Sequence, residues 1–188
     1  MRIEIYRDSV VFQDVDAIVN AANVTLLGGS GVDGAIHDAA GPKLYWYFHD
    51  LGCTCQPGEA IESPGFDLPA KHIIHTVGPI WHEGKFNEPE ILANCYRNCL
   101  DEATEYHCRS IAFCCISVGV YRYPLKPATR IAIAAVAEWL KEHESDMLVR
   151  FCCYSDREFE TYMAVADELG IPYATNRQTV MRKEQQSE

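Results

Sequence analysis

Basic side chains are in the minority in this chain: 16 Lys and Arg stand against 27 Asp and Glu, a formal net charge of −11. An acidic domain repels polyanions, so a sequence-independent grip on a nucleic-acid backbone is excluded as an expectation. A small anion held by local backbone N–H groups is not excluded, because those act at contact range. Long apolar runs are also missing. None approaches the roughly 20 residues of a membrane span. The N-terminal Met1-Arg2-Ile3-Glu4-Ile5 carries an acid where a signal peptide needs an apolar stretch. The expectation is a chain that does not engage a membrane and is cytoplasmic. No Cys-x-x-Cys pair occurs. The nine cysteines are odd in number, and two vicinal pairs, Cys114/Cys115 and Cys152/Cys153, lie inside apolar runs. That pattern reads as reduced core thiols. Cys95 and Cys99 are spaced for one helix face, but a zinc site needs two further ligands. No metal site is assigned, and no internal repeat is found.

What remains is ample for one domain: 188 residues, 48% of them apolar. Runs at residues 3–6, 17–20, 73–77, 111–116 and 148–154 are strand-like, with a shorter candidate at 60–62. Several are apolar on both faces, as in a sheet covered on two sides. Between them lie helical periodicities. Val32, Ile36, Ala40, Leu44, Tyr47, Phe48 and Leu51 predict one helix over 32–51. A second spans about 88–107, with Asn87 as its N-cap and Glu90 three residues on. A third starts near Pro124 and carries Ile131, Ala135, Trp139 and Leu140. The fourth is bracketed by Ser155-Asp156-Arg157-Glu158, a capping box, and by Gly170 after its end. Strands alternating with helices imply an α/β sandwich with a largely parallel sheet. The folded domain is expected over residues 1–174, followed by a flexible polar tail over 175–188.

In such folds ligands lie outside the carboxyl ends of the strands. Two loops stand out there. The first is Ile18-Val19-Asn20-Ala21-Ala22-Asn23, continued by Gly28-Gly29-Ser30-Gly31-Val32-Asp33-Gly34-Ala35-Ile36-His37. A strand ends in asparagines, and a glycine-rich loop opens directly into a helix. Glycines let the backbone approach a ligand, and the helix start offers N–H groups and positive potential. That suits a diphosphate, although a tight turn would use the same glycines. It is neither G-x-G-x-x-G nor a P-loop. Asp33 reads either as an acid complementing the helix dipole or, beside a phosphate cradle, as a base for a water proton. The second loop is Ser117-Val118-Gly119-Val120-Tyr121-Arg122-Tyr123-Pro124. Its backbone N–H groups can cup another phosphate face. Tyr121 either covers a sugar or packs as an ordinary aromatic. His75, in an apolar strand, reads as a hydrogen-bonded core residue. His37, one turn after Asp33, can at most support it.

The stretch from Val15 through Asn23, the Gly28 to His37 segment, Leu68-Pro69-Ala70-Lys71-His72-Ile73-Ile74-His75-Thr76-Val77-Gly78-Pro79 and the second loop together resemble MacroD-type macrodomains, in order, over about residues 2–170. The resemblance implies a three-layer α/β/α fold with a central mixed, largely parallel sheet. It implies ADP-ribose as ligand and mono-ADP-ribosylated proteins as partners. It also implies hydrolysis of mono-ADP-ribose esters on acidic side chains or of O-acetyl-ADP-ribose, with no cofactor. Asn23 and Asp33 are then the catalytic candidates, Asn23 holding the distal ribose and Asp33 handling water. Asp8 would read the adenine amino group, with Ser9 beside it. Gly29, Ser30, Gly31, Val32, Ser117, Val118, Gly119 and Val120 would wrap the diphosphate, Tyr121 would lie along the distal ribose, and Tyr154 would stack on adenine. Ser30, Val118 and Arg122 depart from the family pattern; the Arg122 guanidinium either pairs with the diphosphate or its bulk obstructs a protein substrate. A reader that binds ADP-ribosylated partners without cleaving them is the competing expectation.

Overall fold

The computed structural model describes residues 2–177. The chain runs β1 (Arg2–Arg7), a 3-10 turn (Val10–Phe12), β2 (Ala17–Ala21), α1 (Gly31–Ala40), α2 (Pro42–Leu51), β3 (Ala60–Pro64), β4 (His72–Thr76), α3 (Glu88–Glu105), β5 (Ser110–Phe113), α4 (Leu125–Glu142), β6 (Leu148–Cys153), α5 (Asp156–Leu169) and β7 (Ala174–Thr175). The sheet order is β3-β4-β2-β5-β6-β1-β7. Every pairing is parallel except β3 with β4.

This order dictates the layers. From β2 the chain moves one way along the sheet to reach β4; from β4 through β5, β6 and β7 it moves the other way. Parallel crossovers are right-handed, so reversing direction puts the connecting helices on the opposite face. Accordingly α1 and α2 pack together, while α3, α4 and α5 pack in a row. The result is the three-layer α/β/α sandwich. The central strands are covered on both faces, and Ala17, Ile18, Val19, Ile111, Ala112 and Phe113 are all fully buried. The cysteines fill the same core: Cys95 and Cys99 lie on the inner face of α3, and all nine are free thiols.

Several boundaries differ from the sequence reading. The helix expected over 32–51 is two helices, broken where Gly41 takes φ 79° and Pro42 begins the next helix at its first turn. Proline cannot continue a helix, because its ring clashes with the preceding turn and it has no N–H. Asn87 is the N-cap residue of α3, as expected, but at φ 61° its side chain makes no cap bond. Its neighbour Glu88 instead accepts from the backbone N–H groups of His82 (2.8 Å) and Phe86 (2.7 Å), tying the preceding loop to the helix. The capping box of α5 is present, with Ser155 Oγ accepting from Glu158 N (3.2 Å) and Glu158 Oε2 from Ser155 N (2.9 Å). The run at 111–116 leaves the sheet after Phe113. The domain boundary placed at 174 falls inside β7. That strand pairs with β1, and Asn176 Oδ1 accepts from Arg7 N at 2.9 Å. The rest of the tail, 178–188, lies outside the described residues. Among the described residues no helix is long and apolar enough to cross a membrane.

Candidate active site

Strands β2 and β5 are neighbours, yet their outgoing connections diverge to opposite faces of the sheet. Divergence opens a crevice at the carboxyl edge, where α/β folds place ligands. A cavity of about 630 Å³ lies there. One wall comes from the β2 side: Ala21, Ala22, Asn23 and Gly29, Ser30, Gly31, Val32 and Asp33. The other comes from the β5 side: Cys114, Cys115, Ser117, Val118, Gly119, Val120 and Tyr121. Asp8, Ser9 and Tyr154 also line it. The two loops singled out in the sequence therefore face one another across a single cavity.

Both walls present backbone donors. Helix α1 starts without a side-chain cap: Ser30 is the N-cap residue, but its hydroxyl makes no cap bond. The first N–H groups of a helix have no intrahelical acceptor, and their dipoles sum to a positive potential. The opposite loop is folded onto itself. Arg122 N donates to Gly119 O (3.0 Å), Tyr123 N to Ser117 O (3.0 Å), and Trp81 N reaches across to Tyr121 O (2.9 Å). Those bonds fix the loop's shape and leave the N–H groups of Val118, Gly119 and Val120 without an acceptor among the described residues. Ser117 is held at φ 66°, and its buried hydroxyl lacks a partner among the same residues. Two facing sets of unmatched donors make a binding site for an anion in a protein of net negative charge.

Asp33 stands in the first turn of α1 and is 5% exposed. Its Oδ1 accepts from Asn20 Nδ2 at 2.7 Å, and His37 Nε2 lies 3.5 Å from the same oxygen. Burial pushes the carboxyl above its ordinary range, although the Asn20 bond and the nearby His37 pull the other way. A carboxylate that is partly desolvated, lightly bonded and beside an anion cradle is suited to accept a proton. The backbone permits this only because α1 meets the glycine-rich loop closely. A Cβ on Gly34 would stand 2.7 Å from Gly29 O, and one on Gly29 would stand 2.9 Å from Asp33 Oδ2.

Asn23 is more constrained than the sequence suggests. Its Nδ2 donates to Gly28 O (2.8 Å), and its Oδ1 accepts from Thr25 N (3.1 Å) and Thr25 Oγ1 (2.7 Å). The side chain thus braces the glycine loop and keeps one amide hydrogen for a ligand. Asp8 Oδ1 accepts from Ser9 N (2.8 Å), and Ser9 Oγ from Val11 N (3.4 Å), which fixes the turn at one end of the cavity. Tyr154 is 77% exposed at the rim, and Tyr121 is half-buried. Of the two roles open to Arg122, its placement speaks against pairing with the diphosphate. The residue is exposed, sits at φ 57° and is not part of the cavity lining, because the turn at Gly119 carries it outward past Tyr121. Sequence reasoning gave no role to Asn20, the residue that bonds Asp33. The signal was there: an amide within an otherwise apolar buried strand needs a partner.

The Macro domain family model matches residues 19–132. A Macro domain-containing protein of Chlorobaculum tepidum is 56% identical over 148 residues, 79% of this chain and 86% of that protein. The O-acetyl-ADP-ribose deacetylase of Cronobacter sakazakii is 44% identical, covering 86% of this chain and 91% of its own length. Among solved structures, a point variant of the Oceanobacillus iheyensis macrodomain with ADPR superposes with a TM-score of 0.84 at 41% identity, covering 89% of this chain and 92% of that one. The Trypanosoma brucei macrodomain in complex with ADP-ribose gives 0.81 at 44% identity, covering 87% and 68%.

Proposed function

This chain belongs to the macrodomain family, and from that premise we propose that it binds ADP-ribose and hydrolyses its ester conjugates, either mono-ADP-ribose on acidic side chains or O-acetyl-ADP-ribose. The observation that carries the reading is a buried carboxylate, Asp33, at the edge of a cavity walled by two sets of unmatched backbone donors. A relative named O-acetyl-ADP-ribose deacetylase and solved macrodomains with ADP-ribose support the ligand class.

In this reading the diphosphate lies between the α1 start and the 117–121 loop. Its charge is met by N–H groups rather than by Lys or Arg, which reconciles an anionic ligand with a net charge of −11. The adenine end extends toward Asp8 and the exposed ring of Tyr154, and the distal ribose lies by Asn23 and Tyr121. Asp33 takes a proton from water as the water oxygen attacks the ester carbonyl. The ribose oxygen then leaves and receives a proton, giving free ADP-ribose and the carboxylic acid. A positioned general base contributes about 10²–10⁴ in rate.

The test is to incubate the protein with a glutamate-linked mono-ADP-ribosylated protein and, separately, with O-acetyl-ADP-ribose. Free ADP-ribose is measured in both, and ADP-ribose binding is measured by calorimetry. Binding with release supports the hydrolase. Binding without release from either conjugate replaces it with the reader.

A further inference from the structure

We propose that Ser63 and His75 are positioning residues for Asp33, acting through Asn20: they lock the Asn20 amide so that its N–H, and not its carbonyl, meets the carboxylate. The inference rests on Asp33 being the base of the proposed reaction. The chain of contacts runs across three adjacent strands. Ser63 Oγ lies 2.9 Å from His75 Nε2, His75 Nδ1 lies 3.1 Å from Asn20 Nδ2, and Asn20 Nδ2 lies 2.7 Å from Asp33 Oδ1. Register builds it, since Asn20 and His75 are direct partners in the β2–β4 pairing, and β3 lies on the other side of β4. Ser63, His75 and Asn20 are fully buried, so bulk water does not complete or disturb the chain.

Counting hydrogens fixes its direction. A carboxylate only accepts, so Asn20 Nδ2 must face Asp33. The second hydrogen of that Nδ2 points to His75 Nδ1, which must then be an unprotonated acceptor. The imidazole proton is therefore on Nε2 and is donated to Ser63 Oγ, whose own hydrogen goes to Pro64 O at 3.2 Å. Asn20 Oδ1 is left buried without a partner among the described residues. An unmatched buried carbonyl is unfavourable, so the amide is not arranged for its own satisfaction. Burial holds the His75 imidazole down to about 3, which keeps it neutral and able to accept throughout the working pH range. Phe48 packs edge-on against the ring at 4.8 Å and fixes its plane. Two other titratable groups are near: His37, 3.5 Å from Asp33 on the same helix, and Cys55, whose Sγ lies 4.0 Å from the His75 carbonyl. Each of these contacts bypasses Asn20.

If the lock fails, the amide can turn and present its oxygen to Asp33. The carboxylate then loses a donor and gains a repulsive dipole, and its pKa rises. The experiment is a ¹³C NMR titration of the Asp33 carboxyl in the wild type, His75→Leu, His75→Asn and Ser63→Ala. The pH dependence of kcat/KM for ester hydrolysis is measured alongside. His75→Leu removes the acceptor, whereas His75→Asn restores an oxygen near the Nδ1 position. Ser63→Ala removes the acceptor of Nε2–H and frees the other tautomer. The expected result is an Asp33 titration moved upward by about one pH unit in His75→Leu and in Ser63→Ala, with the acid limb of kcat/KM moving equally. His75→Asn stays with the wild type. At a given pH on that acid limb, turnover in His75→Leu falls about tenfold, while KM and ADP-ribose affinity hold, and well above the Asp33 titration turnover stays near the wild type. An Asp33 titration unchanged in folded Ser63→Ala and in His75→Leu overturns the proposal. If His75→Leu does not fold, Ser63→Ala decides alone. Because the NMR readout needs no turnover, a wild type that releases no ADP-ribose would sink the hydrolase reading while the positioning of Asp33 is still decided.

Discussion

Replacing Asp33 with asparagine should make the protein more stable and less active. Folding confines this carboxyl to a 5% exposed site where Asn20 is its hydrogen-bond donor, and its pKa is raised from the ordinary 3.8. For an acid raised in this way, the folded state holds its proton more tightly than the unfolded state. The associated stabilisation is fully present below the ordinary value and is lost as pH rises through the folded pKa. At neutral pH the wild type carries a desolvated charge that the amide variant does not. The amide is nearly the same shape, and its oxygen can still accept from Asn20. Thermal melts of the two proteins should therefore nearly coincide at about pH 4 and separate as pH rises to about 7.5, with Asp33→Asn the more stable of the two. Each kcal/mol of difference moves Tm by about 2–4 °C in a domain of this size. Release of ADP-ribose from the ester should fall by about 10²–10⁴. A variant that melts below the wild type at neutral pH would refute the reasoning. It would show that the carboxylate is held favourably and is not a strained functional group.

Three further outcomes follow from the same geometry. Gly34→Ala places a Cβ 2.7 Å from Gly29 O. Helix propensity favours Ala by about 1 kcal/mol, yet urea unfolding should show a net loss of about 1–3 kcal/mol from the forced displacement; a stabilised variant would refute the tight contact. Arg122→Gly should leave ADP-ribose affinity unchanged by calorimetry and raise Tm slightly, because an exposed residue outside the cavity at φ 57° gains from the freedom of glycine. Weaker binding with a smaller salt dependence would instead restore the diphosphate pairing. Tyr154→Ala, at the rim, should weaken ADP-ribose binding by about 1–3 kcal/mol, as for a lost base–aromatic stack, without changing the weaker affinity for ribose 5-phosphate; equal losses for both ligands would place Tyr154 away from adenine.

Local signals carried much of this structure in the sequence. The capping box at Ser155 and Glu158, the closing Gly170 and the glycine-rich entry to α1 all act within a few residues, so spacing alone reveals them. Both cavity walls were legible for the same reason, since each is one continuous loop. The Gly41-Pro42 break was also local, but apolar periodicity runs through it from Ile36 to Phe48 and hides the change of axis. What could not be read is what register supplies. Asn20 meets His75 from 55 positions away, and only the pairing of β2 with β4 makes them neighbours. The outward turn of Arg122 is likewise a consequence of backbone bonds at Gly119 and Ser117, which side-chain identity does not announce. Strand β7 is two residues long and exposed, so it carries no apolar signature.

The most direct test of the central claim pairs turnover with binding in one variant. Glutamate-linked mono-ADP-ribosylated protein is supplied to the wild type and to Asp33→Ala, and free ADP-ribose is followed while calorimetry records ADP-ribose affinity for each. The account predicts release by the wild type, loss of release in the variant by about 10²–10⁴, and binding retained in both, because the diphosphate is held by backbone N–H groups and not by Asp33. Release that survives the substitution, or turnover and binding that fall together, would contradict it.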